Sequence, residues 1–293
     1  MDQSTKLCLG MNYNYPMKEL KLCQRWREHR ASYRPEGEPI QVNRDGYFAE
    51  VIPKKVAKEF VNKHHYSGSC PPPRVTVGLF RDNDWGLHDL VGVAAYTVPM
   101  NGNVIPYWLN TDKTQGADLG RFVLHESVPA NGETWFLSQS FDLLEQELPE
   151  LKAVMATSDP IVRFNAHGEV VMPGHVGTIY QAHNGRCIGR TSSKTKKVAP
   201  NGVIITDRTL CKLKNDERGN DYVKRMLNKY IGGKLADETW KQYVARAETS
   251  FSKVKHPGNH VYCWAIGDEK KRTRRTFKDA LPFPKTVELP NKA

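Results

Sequence analysis

The stretch from residue 119 to residue 156 restricts the chain to a mixed α/β fold, because its hydrophobic periodicity changes twice. Residues 119–125 (LGRFVLH) have the pattern of a strand, and residues 133–147 (ETWFLSQSFDLLEQE) carry apolar side chains at helical spacing. Residues 151–156 are a second short apolar run, and Asn-Gly at 131–132 supplies a turn before the helix. A strand, a turn, a helix and a strand therefore follow one another here.

The flanking sequence extends this alternation. Pro53 is favoured at the start of a helix, and a polar turn at 82–86 joins two strand-like runs into a hairpin. We predict an α/β protein with a central mixed sheet flanked by helices, an N-terminal extension and basic C-terminal helical insertions. The further elements predicted are helices or helical turns at 18–30, 54–65, 177–184, 216–230 and 236–252, strands at 47–52, 74–81, 90–98, 203–213 and 260–266, and loops at 101–118 and 194–197.

Length and composition favour one elaborated domain. The 293 residues include 39% hydrophobic and 10% aromatic side chains, which is enough apolar material for a sizeable core. We predict an accessory segment at 1–45, a catalytic domain at 46–287 whose basic half begins near residue 185, and a tail at 288–293. The apolar runs are too short for a membrane span and the N-terminus lacks a signal pattern, so we expect a cytoplasmic location without membrane contact.

The spacing of the six cysteines argues against a zinc module. No two of them form a CxxC pair, and the histidines do not supply a metal-binding spacing by themselves. Scattered cysteines suit a reducing compartment, where each is a small buried apolar residue. We therefore predict no metal site.

The net charge of +11 is concentrated in the C-terminal part of the chain. Residues 1–184 contain 18 basic and 21 acidic side chains, whereas residues 185–293 contain 25 basic and 11 acidic ones. A charge step of this size points to a polyanion such as nucleic acid, and a solvated basic tail is the alternative. Trp85, Tyr107 or Trp108 could stack on an extruded base. The predicted DNA-binding cations are Arg186, Arg190, Lys194, Lys196, Lys197, Arg208, Lys212, Lys214, Lys270, Lys271, Arg272, Arg274 and Arg275.

The strand–turn–helix run resembles the GCN5-related acyltransferase (GNAT) fold. In that fold, amides at the helix N-terminus bind the pyrophosphate of coenzyme A, and the next strand splays away to leave a slot for the acyl arm. A later helix carries a tyrosine that protonates the leaving thiolate, here Tyr180. The usual Gln/Arg-x-x-Gly-x-Gly/Ala loop is replaced by VPANGE at 128–133. The donor is therefore open: acetyl-coenzyme A, or another acyl or aminoacyl donor with coenzyme A or tRNA as its carrier.

Short motifs in order along most of the chain carry a more specific resemblance. They are HHYSG at 64–68, LGRFVLHESVPANGETWFLSQSFDLL at 119–144, TSDP at 157–160, GHVGTIYQAHN at 174–184, DRTL at 207–210 and HVYCWAI…LPFPK at 260–285. Together they resemble the Mom family of phage DNA-modifying proteins, over about residues 47–287. The resemblance implies a GNAT-like fold and conversion of adenine in duplex DNA to its N6-carbamoylmethyl form, which protects the DNA from restriction nucleases.

Five polar residues are the predicted catalytic groups. His65 and Tyr66 lie where the first helix ends; a histidine there could accept a proton from the exocyclic amine of the base, or only cap the helix. Asp159 closes a strand at the edge where α/β proteins bind ligands, and could orient His65, hold the adenine amine or form an Asx turn. Tyr180 is the predicted acid, with core packing as the alternative. Ser138 could bond the donor or the base, or simply be solvated.

Six further residues are predicted to bind the base or the donor. Arg121 lies inside an apolar strand, so its charge requires an anion or a buried partner. Ser140 is expected on the polar side of the central helix. Asn184 could read an adenine edge or cap a helix. The predicted binding residues are Arg121, Asn131, Gly132, Ser140, Asn184 and Trp108.

These features predict a transferase that acts on the N6 amine of adenine in double-stranded DNA, which requires the base to be flipped out of the duplex. Two alternatives stay open. One is a GNAT-like acyltransferase whose acceptor is a small molecule, a peptide or a tRNA-borne group. The other is a non-catalytic nucleic-acid-binding protein, which the altered 128–133 loop favours. The joint presence of His65, Asp159 and Tyr180 argues for the enzyme.

Overall fold

The computed structural model describes residues 25–27, 30–32, 42, 46–83, 85–129, 131–267, 272 and 276–292. These residues belong to two compact units. Unit 1 contains the described residues of Met1–Asp159, His175–Arg190 and Asn259–Thr286, and unit 2 those of Pro160–Gly174, Thr191–Gly258 and Val287–Ala293. The predicted domain over 46–287 includes parts of both units, and its boundaries stay a prediction.

Strands and helices alternate along most of the described chain. The strands are β1 (Arg25–Arg27), β2 (Arg30–Ser32), β3 (Tyr47–Val51), β4 (Pro73–Asp82), β5 (His88–Thr97), β6 (Gly116–Leu124), β7 (Ala153–Ser158), β8 (Arg163–Phe164), β9 (Val170–Met172), β10 (Arg186–Arg190), β11 (Lys194–Val198), β12 (Ile204–Ile205), β13 (Ser252–His256), β14 (His260–Ala265) and β15 (Asn291–Lys292). The helices are α1 (Lys54–His64), α2 (Val104–Leu109), α3 (Gly132–Glu147), α4 (Thr178–Ala182), α5 (Asp207–Lys214), α6 (Asp221–Ile231) and α7 (Trp240–Glu248).

Unit 1 is built on one mixed sheet with the strand order β10-β14-β7-β6-β5-β4-β3. Neighbouring strands are antiparallel throughout, except that β6 and β7 are parallel. The predicted hairpin is β4–β5, and the predicted strand–helix–strand run is β6–α3–β7. The predicted α/β class with a central mixed sheet is confirmed, in the element order that the GNAT resemblance implies.

Helices cover both faces of this sheet. On one face, α1 buries Ala57, Phe60 and Val61 against Val93 of β5 and Val123 of β6. These apolar side chains recur at the three- and four-residue spacing of a helix, while the other side of α1 is polar.

On the opposite face, α3 packs Phe136, Leu137 and Leu144 into a core that includes Tyr96 and Leu119. The helix predicted at 133–147 is thus confirmed, and it separates β6 from β7 along the chain.

Unit 2 combines a four-stranded sheet, β12-β11-β13-β15, with helices α5, α6 and α7. Leu210, Leu213, Leu227, Tyr243 and Val244 form its core. The basic helices predicted at 216–230 and 236–252 are α6 and α7, and the predicted 288–293 tail contributes β15.

Several element predictions were wrong, and packing explains each. The 101–118 loop contains α2, whose Ile105, Trp108 and Leu109 are buried at helical spacing. The 203–213 strand is mostly α5, where Thr206 caps the helix by accepting a hydrogen bond from the Thr209 amide at 3.1 Å.

Two basic segments were also misassigned. Residues 194–197, predicted as a loop, form β11, because pairing with β13 satisfies their backbone groups. In the 18–30 segment, predicted as a helix, β1 and β2 pair as a ribbon; a short isolated helix is marginal in water. The rest of that segment lies outside the described residues.

None of the helices in the described ranges combines the length and the apolar character that a bilayer span requires.

Candidate active site and basic surface

The parallel strands β6 and β7 pair only at their first residues and then part. Gly116, Ala117 and Asp118 align with Ala153, Val154 and Met155. Beyond that point β6 continues against β5, and β7 against β14. An opening in the middle of the sheet results, as the acyltransferase resemblance implies.

A β-bulge in β6 aims two charged residues at the same face of the sheet. Thr97 pairs with Asp118 and Ala95 with Arg121, with the register shift between them. Cross-strand partners share a face, so Asp118 and Arg121 lie on one face although they are three residues apart. Gly120 occupies the bulge, and a Cβ there would lie 2.7 Å from Thr97 Oγ1.

Asp118 is a carboxyl group held at the parting point of the two strands. Burial raises its pKa to about 6, against the opposing effects of a hydrogen bond from Thr97 and of the Arg121 charge. The hydrogen bond from Thr97 Oγ1 to Asp118 Oδ2 is long, at 3.5 Å. The carboxyl group therefore titrates near neutrality instead of near pH 4.

Arg121 ties the segment after α1 to β6. Its Nε donates to the Ser69 carbonyl at 2.7 Å, its Nη2 to Ser69 Oγ at 3.3 Å, and its Nη1 to the Gly120 carbonyl at 2.6 Å. The predicted need for a partner is met by neutral oxygens, so the guanidinium keeps its full charge beside Asp118.

Tyr180 on α4 faces the same opening. Its hydroxyl group interacts electrostatically with Tyr66, Asp118, Tyr262 and Arg121. Burial raises the pKa of Tyr180 well above its ordinary value, and Tyr66, Asp118 and Tyr262 raise it further. Tyr180 therefore remains protonated and can act as a hydrogen-bond or proton donor.

The start of α4 is fixed by Gly177 and Tyr262. Gly177 has φ 76°, and a Cβ there would lie 2.7 Å from the Tyr262 ring and 2.9 Å from the Tyr180 ring. The Tyr262 hydroxyl donates to the Val176 carbonyl at 2.5 Å and accepts from Gln181 Nε2 at 3.0 Å. These contacts set the position from which Tyr180 enters the site.

Asp159 lies beside His175. The His175 amide donates to the Asp159 carbonyl at 2.8 Å. Burial lowers the pKa of His175 to about 4, although the Asp159 charge raises it, so this imidazole is neutral. The predicted partner, His65, accepts a hydrogen bond at Nδ1 from the Ser67 amide at 3.1 Å, and its ring lies 4.2 Å from that of Tyr66.

Ser140 and Trp108 do not have the surroundings that the sequence led us to expect, whereas Ser138 lies on the polar side of α3 as expected. Ser140 is fully buried, within 2.5 Å of the Tyr96 hydroxyl, and donates to the Leu137 carbonyl at 2.8 Å; it belongs to the core and not to a polar helix face. Ser138 is exposed. Trp108 is 8% exposed and is therefore no stacking surface for a base.

The two other predicted stacking residues, Tyr107 and Trp85, are exposed but have different surroundings. Tyr107 is exposed, with Lys278 Nζ 3.3 Å from its ring centroid. Trp85 is exposed at the tip of the β4–β5 hairpin, about 30 Å along β5 from Thr97. Trp85 is thus too far away to stack on a base held at Asp118.

The turn before α3 does not fit a pyrophosphate group. The Val128 and Gly132 amides donate to the carbonyls of His125 and Pro129. Gly132 is buried so closely on Val128 that a Cβ would lie 2.4 Å from Cγ1, and Glu133 adds a negative charge to the first turn. Asn131 is exposed with φ 65°. Two amides of the turn are thus engaged by carbonyls, and the charge of Glu133 repels an anion at this end of α3.

Asn184, the remaining predicted base reader, is exposed just after α4 with φ 57°. Its amide donates to the Gln181 carbonyl at 3.1 Å, which closes the helical turn.

A lysine-rich ribbon in unit 2 is the most basic surface element described. Strand β11 reads KTKKV and pairs with β13, which reads SKVKH; neither strand contains an acidic residue. Lys194, Lys253 and Lys255 are exposed. Lys197 lies directly opposite Lys253, and the carboxylates of Asp207 and Glu248 compensate the charge of Lys197.

Several predicted DNA-binding cations already contact carboxylates. Lys197 Nζ lies 2.8 Å from Asp207 Oδ1 and 2.7 Å from Glu248 Oε1, and Arg208 makes a two-pronged contact with Glu217. The others have more varied surroundings: Arg186 is exposed near the Phe277 ring, Arg190 and Lys196 are half-buried, and Arg272 is exposed. Lys270, Lys271, Arg274 and Arg275 lie outside the described residues.

The sequence model of the Mom protein family matches residues 47–244. The chain belongs to this family. The match includes β6, α3, β7 and α4, and thus Asp118, Arg121 and Tyr180; Tyr262 and the β13 half of the ribbon lie beyond it.

No curated protein matches the chain. Among solved structures, a tandem GNAT protein from the clavulanic acid biosynthesis pathway, solved without acetyl-coenzyme A, superposes with a TM-score of 0.27 at 10% identity over 67% of this chain and 62% of its own. Malonyl-CoA decarboxylase from Rhodopseudomonas palustris superposes with a TM-score of 0.30 at 11% identity over 78% and 62%. The chain thus spans about three fifths of each of these proteins.

Four site residues were missed by the sequence analysis. Asp118, the acidic residue within the apolar β6 run, gave a signal that was overlooked because the predicted strand began at residue 119. Thr97, His175 and Tyr262 are ordinary strand or loop residues in sequence, and only the strand pairing and the packing of α4 bring them to the candidate site. In the part of the chain that the structure describes, no group of three or more His, Cys, Asp or Glu side chains could hold a metal ion.

Proposed function

We propose that this chain is a transferase that modifies the N6 amine of adenine in duplex DNA to the carbamoylmethyl form, and that it thereby protects phage DNA from restriction in the host cytoplasm. Membership of the Mom family supports a DNA-modifying role. The observation that carries the proposal is the convergence of Tyr66, Asp118, Arg121 and Tyr180 where β6 and β7 part.

Each of these side chains has a role that its surroundings support. Tyr180, protonated because its pKa is raised, donates its proton to the leaving group of the donor. Arg121 keeps its charge and stabilises negative charge that develops on the donor. Tyr66 and His65, whose rings lie against each other at the end of α1, face the flipped base, and Asp159 orients His175.

Unit 2 supplies contacts to the DNA backbone in this proposal. Lys253 and Lys255 are exposed on one face of the four-stranded sheet, and Lys194 is exposed at the start of β11 on its other face. Their contacts are to phosphate and contribute affinity without sequence selectivity.

The test is to co-express the chain with a plasmid and to analyse the hydrolysed nucleosides by mass spectrometry. We expect a new adenosine derivative with the mass of the carbamoylmethyl form. Tyr180→Phe should abolish it, whereas Tyr222→Phe, which removes an exposed hydroxyl on α6, should leave it unchanged. An unaltered adenosine pool in cells that contain folded protein would refute the proposal.

The turn before α3 favours a second candidate, a nucleic-acid-binding protein without transferase activity, because it does not fit a pyrophosphate. DNA binding by the purified protein together with an unaltered adenosine pool would support that candidate. A modified nucleoside would exclude it and would direct the search for the donor to carriers other than coenzyme A, such as an aminoacyl ester.

A further inference from the structure

We propose that Asp118 is the general base that removes a proton from the N6 amine as this amine attacks the donor. The inference rests on the proposed function, which assigns the acid and the substrate but no base at the centre of the site.

Asp118 has a position that packing alone does not explain. It follows buried Ala117 and precedes buried Leu119 in the central strand of the sheet. A carboxylate in such a strand is costly unless it is paired. Its side-chain hydrogen bond among the described residues is the long one from Thr97, because Arg121 directs its N–H groups at Ser69 and Gly120 oxygens.

The bulge at Gly120 determines that the Asp118 carboxylate and Arg121 lie on the same face of the sheet. Without the extra residue, Asp118 and Arg121 would lie on opposite faces of β6. With it, both share the face that carries α1, at the level where β7 turns away. The carboxylate thus faces the opening that Tyr180 and Tyr66 also line.

Tyr180 and His175 are less suited to accept the proton. Tyr180 holds its own proton, and burial keeps the pKa of His175 at about 4, which makes it a weak base. The pKa of Asp118, raised to about 6, lies close to the pH at which a base is most effective.

Asp118 and the Tyr180 hydroxyl group account for both proton transfers of the reaction. The bond from N6 to the methylene carbon of the carbamoylmethyl group forms as the bond from this carbon to the leaving group breaks, in a donor that carries the group on a leaving oxygen or sulfur atom. One N6 proton passes to Asp118, and the leaving group takes the proton of the Tyr180 hydroxyl. Exchange with water then removes the proton from Asp118 and restores that of Tyr180.

The first test is Asp118→Asn, which keeps the shape of the side chain. We expect the modification rate of the purified protein to fall on the order of a hundredfold or more, with DNA affinity within twofold of the parent. Asp142→Asn, an exposed change on α3, is the matched control. If the parent itself leaves adenine unmodified, the proposed function fails; if the parent is active and Asp118→Asn keeps a tenth of its rate, only the assignment of Asp118 fails.

A second test, with Thr97→Val, examines the assignment even if Asp118→Asn does not fold. Thr97→Val removes the hydroxyl group that lowers the pKa of Asp118, so the acidic limb of the pH–rate profile should move to higher pH. The other charged or titratable groups facing Asp118, Arg121 on its own strand and Tyr180 on α4, are unchanged in this variant. An acidic limb that stays in place would overturn the assignment.

Discussion

Two buried titratable residues of the candidate site have pKa values that move in opposite directions for the same reason. Burial raises the pKa of Asp118 to about 6 and lowers that of His175 to about 4. In each case removal from water favours the neutral form. Near neutral pH His175 is therefore uncharged, whereas Asp118 is ionised in most molecules but takes up a proton under mildly acidic conditions.

His175 should make the protein sensitive to mild acid. Because the folded state holds this imidazole neutral while the unfolded chain titrates near pH 6.5, stability is full above pH 6.5 and falls as the pH drops towards 4. The loss amounts to at most about 3 kcal/mol. His175→Gln should flatten this part of the profile in urea unfolding at several pH values, whereas His167→Gln, at an exposed position, should not. Equal acid sensitivity in parent and His175→Gln would show that other groups are responsible.

At the scale of elements, the bulge in β6 links the fold to the site. The extra residue, Gly120, shifts the alternation of side chains along β6. Residues before and after the bulge therefore exchange the faces that regular alternation would give them. Thr97 fills the space that a side chain at residue 120 would occupy. The bulge is thus held from both strands.

Gly120→Ala should disturb this arrangement. The new Cβ would approach Thr97 Oγ1 and Cγ2 at 2.7 and 2.8 Å, so the strands must shift. We expect a loss of about 1–3 kcal/mol in the free energy of unfolding, and a fall in modification rate because Asp118 and Arg121 move. Gly102→Ala, where the added methyl group meets nothing within 4 Å, is the control. A Gly120→Ala protein with parental stability and rate would contradict the geometry described.

Elements whose hydrophobic pattern is regular over many residues were predictable from the sequence. The β4–β5 hairpin and α3 are examples, since each presents several apolar residues at one spacing. The strand predicted at 203–213 failed because the apolar run before Thr206 and the helix after it were read as one element.

The candidate site was only partly predictable. Tyr66, Arg121 and Tyr180 belong to motifs that can be recognised in sequence, and they are brought together. The burial of Ser140 depends on which side of α3 meets the sheet. The position of Asp118 opposite Thr97 depends on strand register, which a single sequence does not encode locally.

For the molecule as a whole, the charge step in the sequence overstates the free positive charge. Unit 2 contains cations that contact carboxylates, among them Lys197, Lys214, Arg208 and Arg246. These pairs stabilise helices and loops of the unit and cancel part of its field. The charge available to a polyanion in the described part of unit 2 therefore resides on exposed lysines such as those of the ribbon.

The ribbon should determine how strongly DNA binding depends on salt. Each phosphate contact adds about 0.9 to the slope of log K against log salt, so replacing Lys253 and Lys255, which are exposed on one face of β13, with Ala should lower the slope by about 2. Filter binding or fluorescence anisotropy across a salt series measures this. Replacing Lys54 and Lys55 of α1, which are also exposed, makes the same change in net charge and should leave the slope nearly unchanged. Equal slopes for the two double variants would mean that net charge, and not the ribbon, governs binding.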